Sequence, residues 1–123
     1  MIAETTLKKQ HTHEAITFCE KTYPKTTEEF KKIQKEMYLT FCKKQMNYGP
    51  SNISVGTPLE TDSDVKLSLA GLWFRINDKV QRLKQLVVLG VADQVGESIQ
   101  DTYEDLSVYG IIAQIVSRGK WGK

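Results

Sequence analysis

Three observations predict an all-α protein. Three long segments carry apolar residues at helical spacing, no segment alternates apolar and polar residues as a strand does, and most Gly and Pro residues fall between the periodic segments. The expected architecture is a helical bundle of three long helices, Thr27 to Gln45, Asp64 to Leu89 and Gly96 to Ser117, with a short N-terminal helix and one long loop containing Gly and Pro. A chain of 123 residues is long enough for one core and short for two, so residues 1–123 are expected to form a single domain.

Composition narrows the function classes. Apolar residues make up 40% and charged residues 26%, ordinary values for a folded chain and too apolar for a disordered one. Net charge is +2, with nine Lys against six Glu up to Pro50 and more acid than base beyond it; this is not the concentrated basic face of a nucleic-acid binder, so direct nucleic-acid contact is not expected. Nowhere do about 18 apolar residues run together, and the N-terminus lacks the apolar run of a signal peptide. No membrane partner is expected, and the compartment is expected to be cytoplasmic. Cys19 and Cys42 lack metal-ligand spacing and read as two small buried hydrophobes.

The elements follow in order. Met1 to Gln10 show no useful period and are expected to fray. Thr12 can cap a short helix that turns Ala15, Ile16, Cys19 and Tyr23 inward and ends at Pro24. Thr26 followed by Glu29 reads as a capping box, and Phe30, Ile33, Met37, Tyr38, Phe41 and Cys42 then recur at helical spacing. Gly49, Pro50, Gly56 and Pro58 exclude a helix from the next stretch and imply a long loop, a kind of segment that is often functional in a compact domain. Ser63 or Asp62 can cap the following helix, whose apolar stripe is Leu69, Leu72, Trp73, Ile76, Val80, Leu83 and Val87, with Gly90 as its terminator. The last helix is expected to bury Ile99, Tyr103, Leu106, Gly110, Ala113 and Val116. Ile111, Ile112 and Ile115 broaden its apolar side, which predicts a homo-oligomer built on that helix. Trp121 can pack on a partner chain or on its own domain.

Chemistry concentrates on two polar stripes. Arg75, Asp78, Lys79 and Arg82 share one side of a helix, and two of the chain's three arginines stand there seven residues apart. Their planar forks suit phosphate or a carboxylate pair, so Arg75, Lys79 and Arg82 are the candidate phosphate contacts. Glu97, Asp101 and Asp105 step by four, and oxygen-only ligands of that kind suit Mg²⁺, with Asp101 or Asp105 free to orient a catalytic water. Tyr48, Asn52 and Trp73 are the candidate base-recognition residues. The same stripes can instead form an interhelical salt-bridge ladder, with Arg82 paired to Asp101 or Asp105, and spacing does not choose between ladder and site.

The segments GLWFRINDKVQRLKQL and ESIQDTYEDLSVYGIIAQI, with NYG upstream, resemble the phage-associated family called nucleotide modification associated domain, type 1. The matching positions are Tyr48 and Gly49; Gly71, Arg75, Asp78, Lys79, Arg82 and Leu83; and Glu97, Ser98, Asp101, Thr102, Asp105, Leu106 and Tyr109. The likeness covers residues 43–116, with Asn47 where an acid is frequent. The last helix also looks like the second acidic helix of the all-α NTP pyrophosphohydrolases of the MazG type, although the Glu-x-x-Glu of those enzymes is replaced here by Arg, Asp and Lys. The resemblance implies a phage-type nucleotide-binding protein of the host cytoplasm, acting in nucleotide metabolism or DNA base modification, with Mg²⁺-dependent pyrophosphohydrolysis as its catalytic form. The alternative is a non-enzymatic nucleotide sponge, or an accessory subunit of a base-modifying or anti-defence system.

Overall fold

The structure is a computed structural model that describes residues 2–123; the side chains of residues 2–7 and 10 lie outside the description. Among the described residues every regular element is helical: α1 Ile2–Thr22, α2 Pro24–Tyr48, α3 Ser51–Ser54, α4 Asp62–Leu83 continued by a π turn Lys84–Val88, and α5 Ile99–Ser117. The chain divides into two compact units, Met1–Leu39 and Thr40–Lys123.

In the first unit the expected short helix is a long one, since α1 already includes residues 2–10. Tyr23 alone breaks the helical run. Pro24 has no N–H to donate and disfavours helical geometry at the residue before it, so the chain bends there and restarts with Pro24 as the first residue of α2. Thr26 lies inside α2 and so does not cap it as expected; its neighbour Thr27 donates from Oγ1 back to the carbonyls of Tyr23 and Pro24, at 3.1 and 3.2 Å. Lys31 and Glu20 pair across the bend at 3.0 Å. Ile16 and Tyr23 do not turn inward but are 51% and 57% exposed, and Phe30 on α2 is 64% exposed. Cys19 is exposed and Cys42 half-buried, against the expectation that both are core residues. No described side chain of residues 8–39 is buried.

The second unit holds the core. Ile53, Leu72, Ile112, Val116 and Trp121 are buried together, with Phe41, Leu59, Val65, Leu69, Val108, Tyr109, Ala113 and Ile115 packed around them. The long loop contains one helical turn, α3, where a helix was excluded; it sets Ile53 into the core, and the Ile53 carbonyl accepts from Ser68 Oγ at 2.6 Å. Thr61, not Ser63 or Asp62, caps α4 by accepting from the Asp64 amide at 3.1 Å. Gly90 ends the α4 segment at φ 69, as expected of a helix terminator, and Ser98 caps α5 through the Asp101 amide.

The faces that meet between α4 and α5 are turned from those the apolar stripes predict. On α4 the side toward α5 carries Ser68, Leu72, Lys79 and Arg82, while Trp73 and Val80 are 59% and 45% exposed. On α5 the buried positions are Thr102, Ile112 and Val116, and Ile99, Tyr103 and Ile111 are 39%, 45% and 43% exposed. The physical reason is that opposite charges on the two helices satisfy one another inside the seam. Each helix rotates to bring its polar stripe inward, which carries part of its apolar stripe out. Ser68 and Thr102, the two most deeply buried polar residues described, are both satisfied, Ser68 by the Ile53 carbonyl and Thr102 by Arg82. Trp121 docks on its own unit: its Nε1 donates to the Pro50 carbonyl at 3.0 Å and its ring meets Phe41 edge-on.

Candidate functional site

Lys79 is the centre of the seam. It projects from near the C-terminal end of α4 between Glu97, which precedes α5, and Asp105, in the second turn of that helix, and its ammonium lies 3.3 Å from Glu97 Oε1 and 3.1 Å from Asp105 Oδ2. Partial burial pulls its pKa down, but the hydrogen bonds and charges of Asp105 and Glu97 outweigh that effect and hold it above the ordinary lysine value of 10.5. Arg82, one turn on, spreads its guanidinium over four acceptors. Nε meets Thr102 Oγ1 at 3.2 Å and Glu97 Oε2 at 3.7 Å, Nη1 lies 3.6 Å from Asp93 Oδ1, and Nη2 donates to the Glu97 carbonyl. Asp105 also receives Lys44 from α2 at 3.5 Å. Three cations therefore meet three carboxylates in one connected network.

The remaining expected site residues lie elsewhere. Arg75 leaves the network and donates from Nη2 to the Asn52 carbonyl at 2.9 Å, which ties α4 to α3 and leaves the exposed Asn52 side chain unused in that bond. Asp78 is exposed and joins no ion pair among the described residues. Trp73 lies on a different face of α4 from Lys79 and packs edge-on against Phe74. Tyr48 is 63% exposed at the end of α2. None of the three base-recognition candidates lines the cleft that Asp101 and Asp105 reach, or the groove beside Trp121. Of the expected Arg82 partners, neither Asp101 nor Asp105 is used; Glu97 and Asp93 take their place.

Beside the seam is an open cleft of about 380 Å³ lined by Thr40, Lys44, Glu97, Asp101, Glu104 and Asp105. Asp101 and Asp105 reach it together, as their spacing implies. Its four carboxylates have the right chemistry for a hard divalent cation, and the Lys44 ammonium in the same lining works against one. The geometry does not fit one: among the described residues no three His, Cys, Asp or Glu side chains converge as a ligand set. Sequence reasoning gave no site role to Lys44, Asp93, Thr102 or Glu104. Lys44 is one of five lysines along residues 31–44, and nothing in their spacing sets it apart. Thr102 had a usable signal, since it stands four residues after the cap Ser98 and between the acids at 101 and 105.

No family model, no curated protein and no solved structure matches this chain.

Proposed function

We propose that the chain is a non-catalytic helical module, an accessory protein acting through what its surfaces bind, and that the charges between α4 and α5 are its scaffold. One observation carries this reading: Lys79 and Arg82, the cations a nucleotide phosphate would need, are each engaged by two carboxylates within the seam. A phosphate would have to displace those acids against their own negative charge. The resemblance to the nucleotide modification associated domain supplies the setting, phage-type nucleotide metabolism or DNA base modification in a host cytoplasm. There the protein would serve as an accessory subunit.

The test is to incubate the full chain with a panel of nucleoside triphosphates and Mg²⁺, recover the nucleotides by chromatography, and melt the double variant Lys79→Met with Asp105→Leu. The expected result is unchanged nucleotide and a variant within about 1 kcal/mol of wild type, since a partly buried pair exchanged for apolar groups is often near neutral. Release of phosphate or pyrophosphate that the double variant abolishes overturns the reading.

A Mg²⁺-dependent nucleotide site is the second reading, favoured by the oxygen-rich lining of the cleft at Glu97, Asp101, Glu104 and Asp105. Melting with millimolar Mg²⁺ alone separates the two. A ligand that binds only the folded state at a hundredfold excess over Kd stabilises by about 2.7 kcal/mol, and that gain should vanish in Asp101→Asn with Glu104→Gln if the cleft holds the ion.

A further inference from the structure

The segment after α5 helps to build a groove that the functional reading does not use, and three local features fix its path. Gly119, at φ 70, ends α5 in a left-handed turn: its amide bonds to the Val116 carbonyl at 3.1 Å, and the Lys120 amide reaches back to the Ile115 carbonyl at 3.1 Å. Trp121 then docks through its bond to the Pro50 carbonyl. Gly122 follows at φ 71, so close that a Cβ there would come 3.1 Å from Pro50 Cβ, and only glycine fits without strain. These anchors hold Lys120 and Lys123 on either side of the Trp121 peg.

Bordered by this segment, α2 and α5 is an open groove of about 420 Å³. Phe41, Pro50, Ile115 and Trp121 give it an apolar floor, and Lys120 and Lys123 are the charged side chains of its lining. The volume lies within the roughly 300–1,000 Å³ of small binding sites and is ample for one large apolar side chain.

Charge around the groove is one-sided. The two stretches that supply every lining residue, Met37 to Leu59 and Leu106 to Lys123, contain no Asp or Glu and five cations: Lys43, Lys44, Arg118, Lys120 and Lys123. Lys44 is taken by Asp105, whereas the other four are exposed and join no ion pair among the described residues. Cations left free beside an apolar floor complement a ligand that carries carboxylates around an apolar group.

Other anions fit less well. Trp121 is 6% exposed and Phe41 meets it edge-on, so its ring offers no open face for a nucleic-acid base to stack on and no free tip to enter a lipid layer. A bare phosphate would leave the apolar floor uncovered. An extended acidic peptide uses floor and rim together.

We infer that this groove docks an acidic peptide segment of a partner protein, with one large apolar side chain seated against Phe41, Ile115 and Trp121 and flanking carboxylates on Lys120 and Lys123. The groove is separate from the seam and its cleft, so the inference holds or fails independently of whether those bind a nucleotide.

Fluorescence anisotropy of the full chain with a fluorescein-labelled peptide, one Phe between runs of Glu, tests it. The peptide should bind with a Kd on the order of tens of micromolar, as a small interface implies, and Lys120→Glu with Lys123→Glu should weaken it at least about tenfold. Both side chains are exposed, so far-UV circular dichroism and melting should stay as in wild type. Lys25→Glu with Lys35→Glu, the same change in net charge outside the lining, should leave binding within about twofold. The peptide with Gln for Glu lacks the charges and the peptide with Gly for Phe lacks the apolar group, and each should bind at least about tenfold more weakly. No binding at millimolar peptide overturns the inference. So does equal binding of either altered peptide, or a rim variant that binds as wild type does. An oligothymidylate or a phosphatidylserine vesicle that binds where the peptide does not, and that the rim variant releases, gives the groove to another anion and overturns it too.

Discussion

Lys79 sets a pH dependence that can be read from its surroundings. Its pKa is raised in the folded chain, by Asp105 and Glu97 working against its partial burial. A group of this sign contributes its stabilisation fully below the ordinary lysine value of 10.5, and the contribution is lost as pH rises through the higher folded value. Melting temperature should therefore fall more steeply above pH 10.5 for wild type than for Lys79→Met, and parallel curves for the two would contradict the assignment. At neutral pH that variant should cost only about 1 kcal/mol, because Lys44 still meets Asp105 and Arg82 still meets Glu97. Val55 is the second residue with a sharp expectation. It is a β-branched residue at φ 56, in the left-handed region, directly after α3, and it is 52% exposed, so its side chain returns little packing for the strain. Val55→Asn should stabilise by roughly 0.5–1 kcal/mol, measured by urea unfolding; a loss of stability would mean that the Val55 methyls pack in a way their exposure does not reveal.

Helices were legible in the sequence as elements and much less so as faces. The periods of residues 27–45, 64–89 and 96–117 fall on α2, on α4 with its π turn and on α5, and Gly90 gave a stop, because propensity, caps and terminators act locally. The orientation of α4 and α5 was not local. It turns on whether Lys79, Arg82, Glu97 and Asp105 face water or one another, and the rule that charges lie outside put Trp73 and Tyr103 in the core and gave Thr102 no place there. The acids at 97 and 105 and the cations at 79 and 82 were singled out correctly as two stripes that belong together, but which cation meets which acid depends on a helix rotation that no periodicity records. At the far end of the chain Trp121 acts as a peg for the short segment after α5. Trp121→Ala removes a 6% exposed ring from a core of five buried apolar residues among those described and should cost about 3 kcal/mol or more. Trp121→Phe retains most of the contact with Phe41 and loses the bond to the Pro50 carbonyl, so about 1 kcal/mol is expected. Equal losses in the two variants would show that the hydrogen bond, not the packing, holds the peg.

At the scale of the whole chain, burial is confined to one part. Every buried residue described lies between Ile53 and Trp121, within the unit Thr40–Lys123, while the other unit offers half-exposed apolar side chains such as Ile16, Phe30 and Ile33 and has no core among its described residues. Helices draw most of their stability from a packed face, and isolated ones are marginal in water. The two units should therefore differ in cooperativity. A chain comprising Thr40–Lys123 should melt in a single transition within a few degrees of the main transition of the full protein, because Phe41, Trp121 and the α4–α5 seam are all retained in it. A peptide of residues 1–39 should be weakly helical and show no cooperative melt. Hydrogen exchange of the intact chain gives an independent measure: amides near Leu72, Ile112 and Val116 should exchange only through global unfolding, and those of α1 through local opening at far lower cost. Strong protection in α1, or a fragment 40–123 that fails to fold, would show that the first unit supports the core despite burying nothing itself.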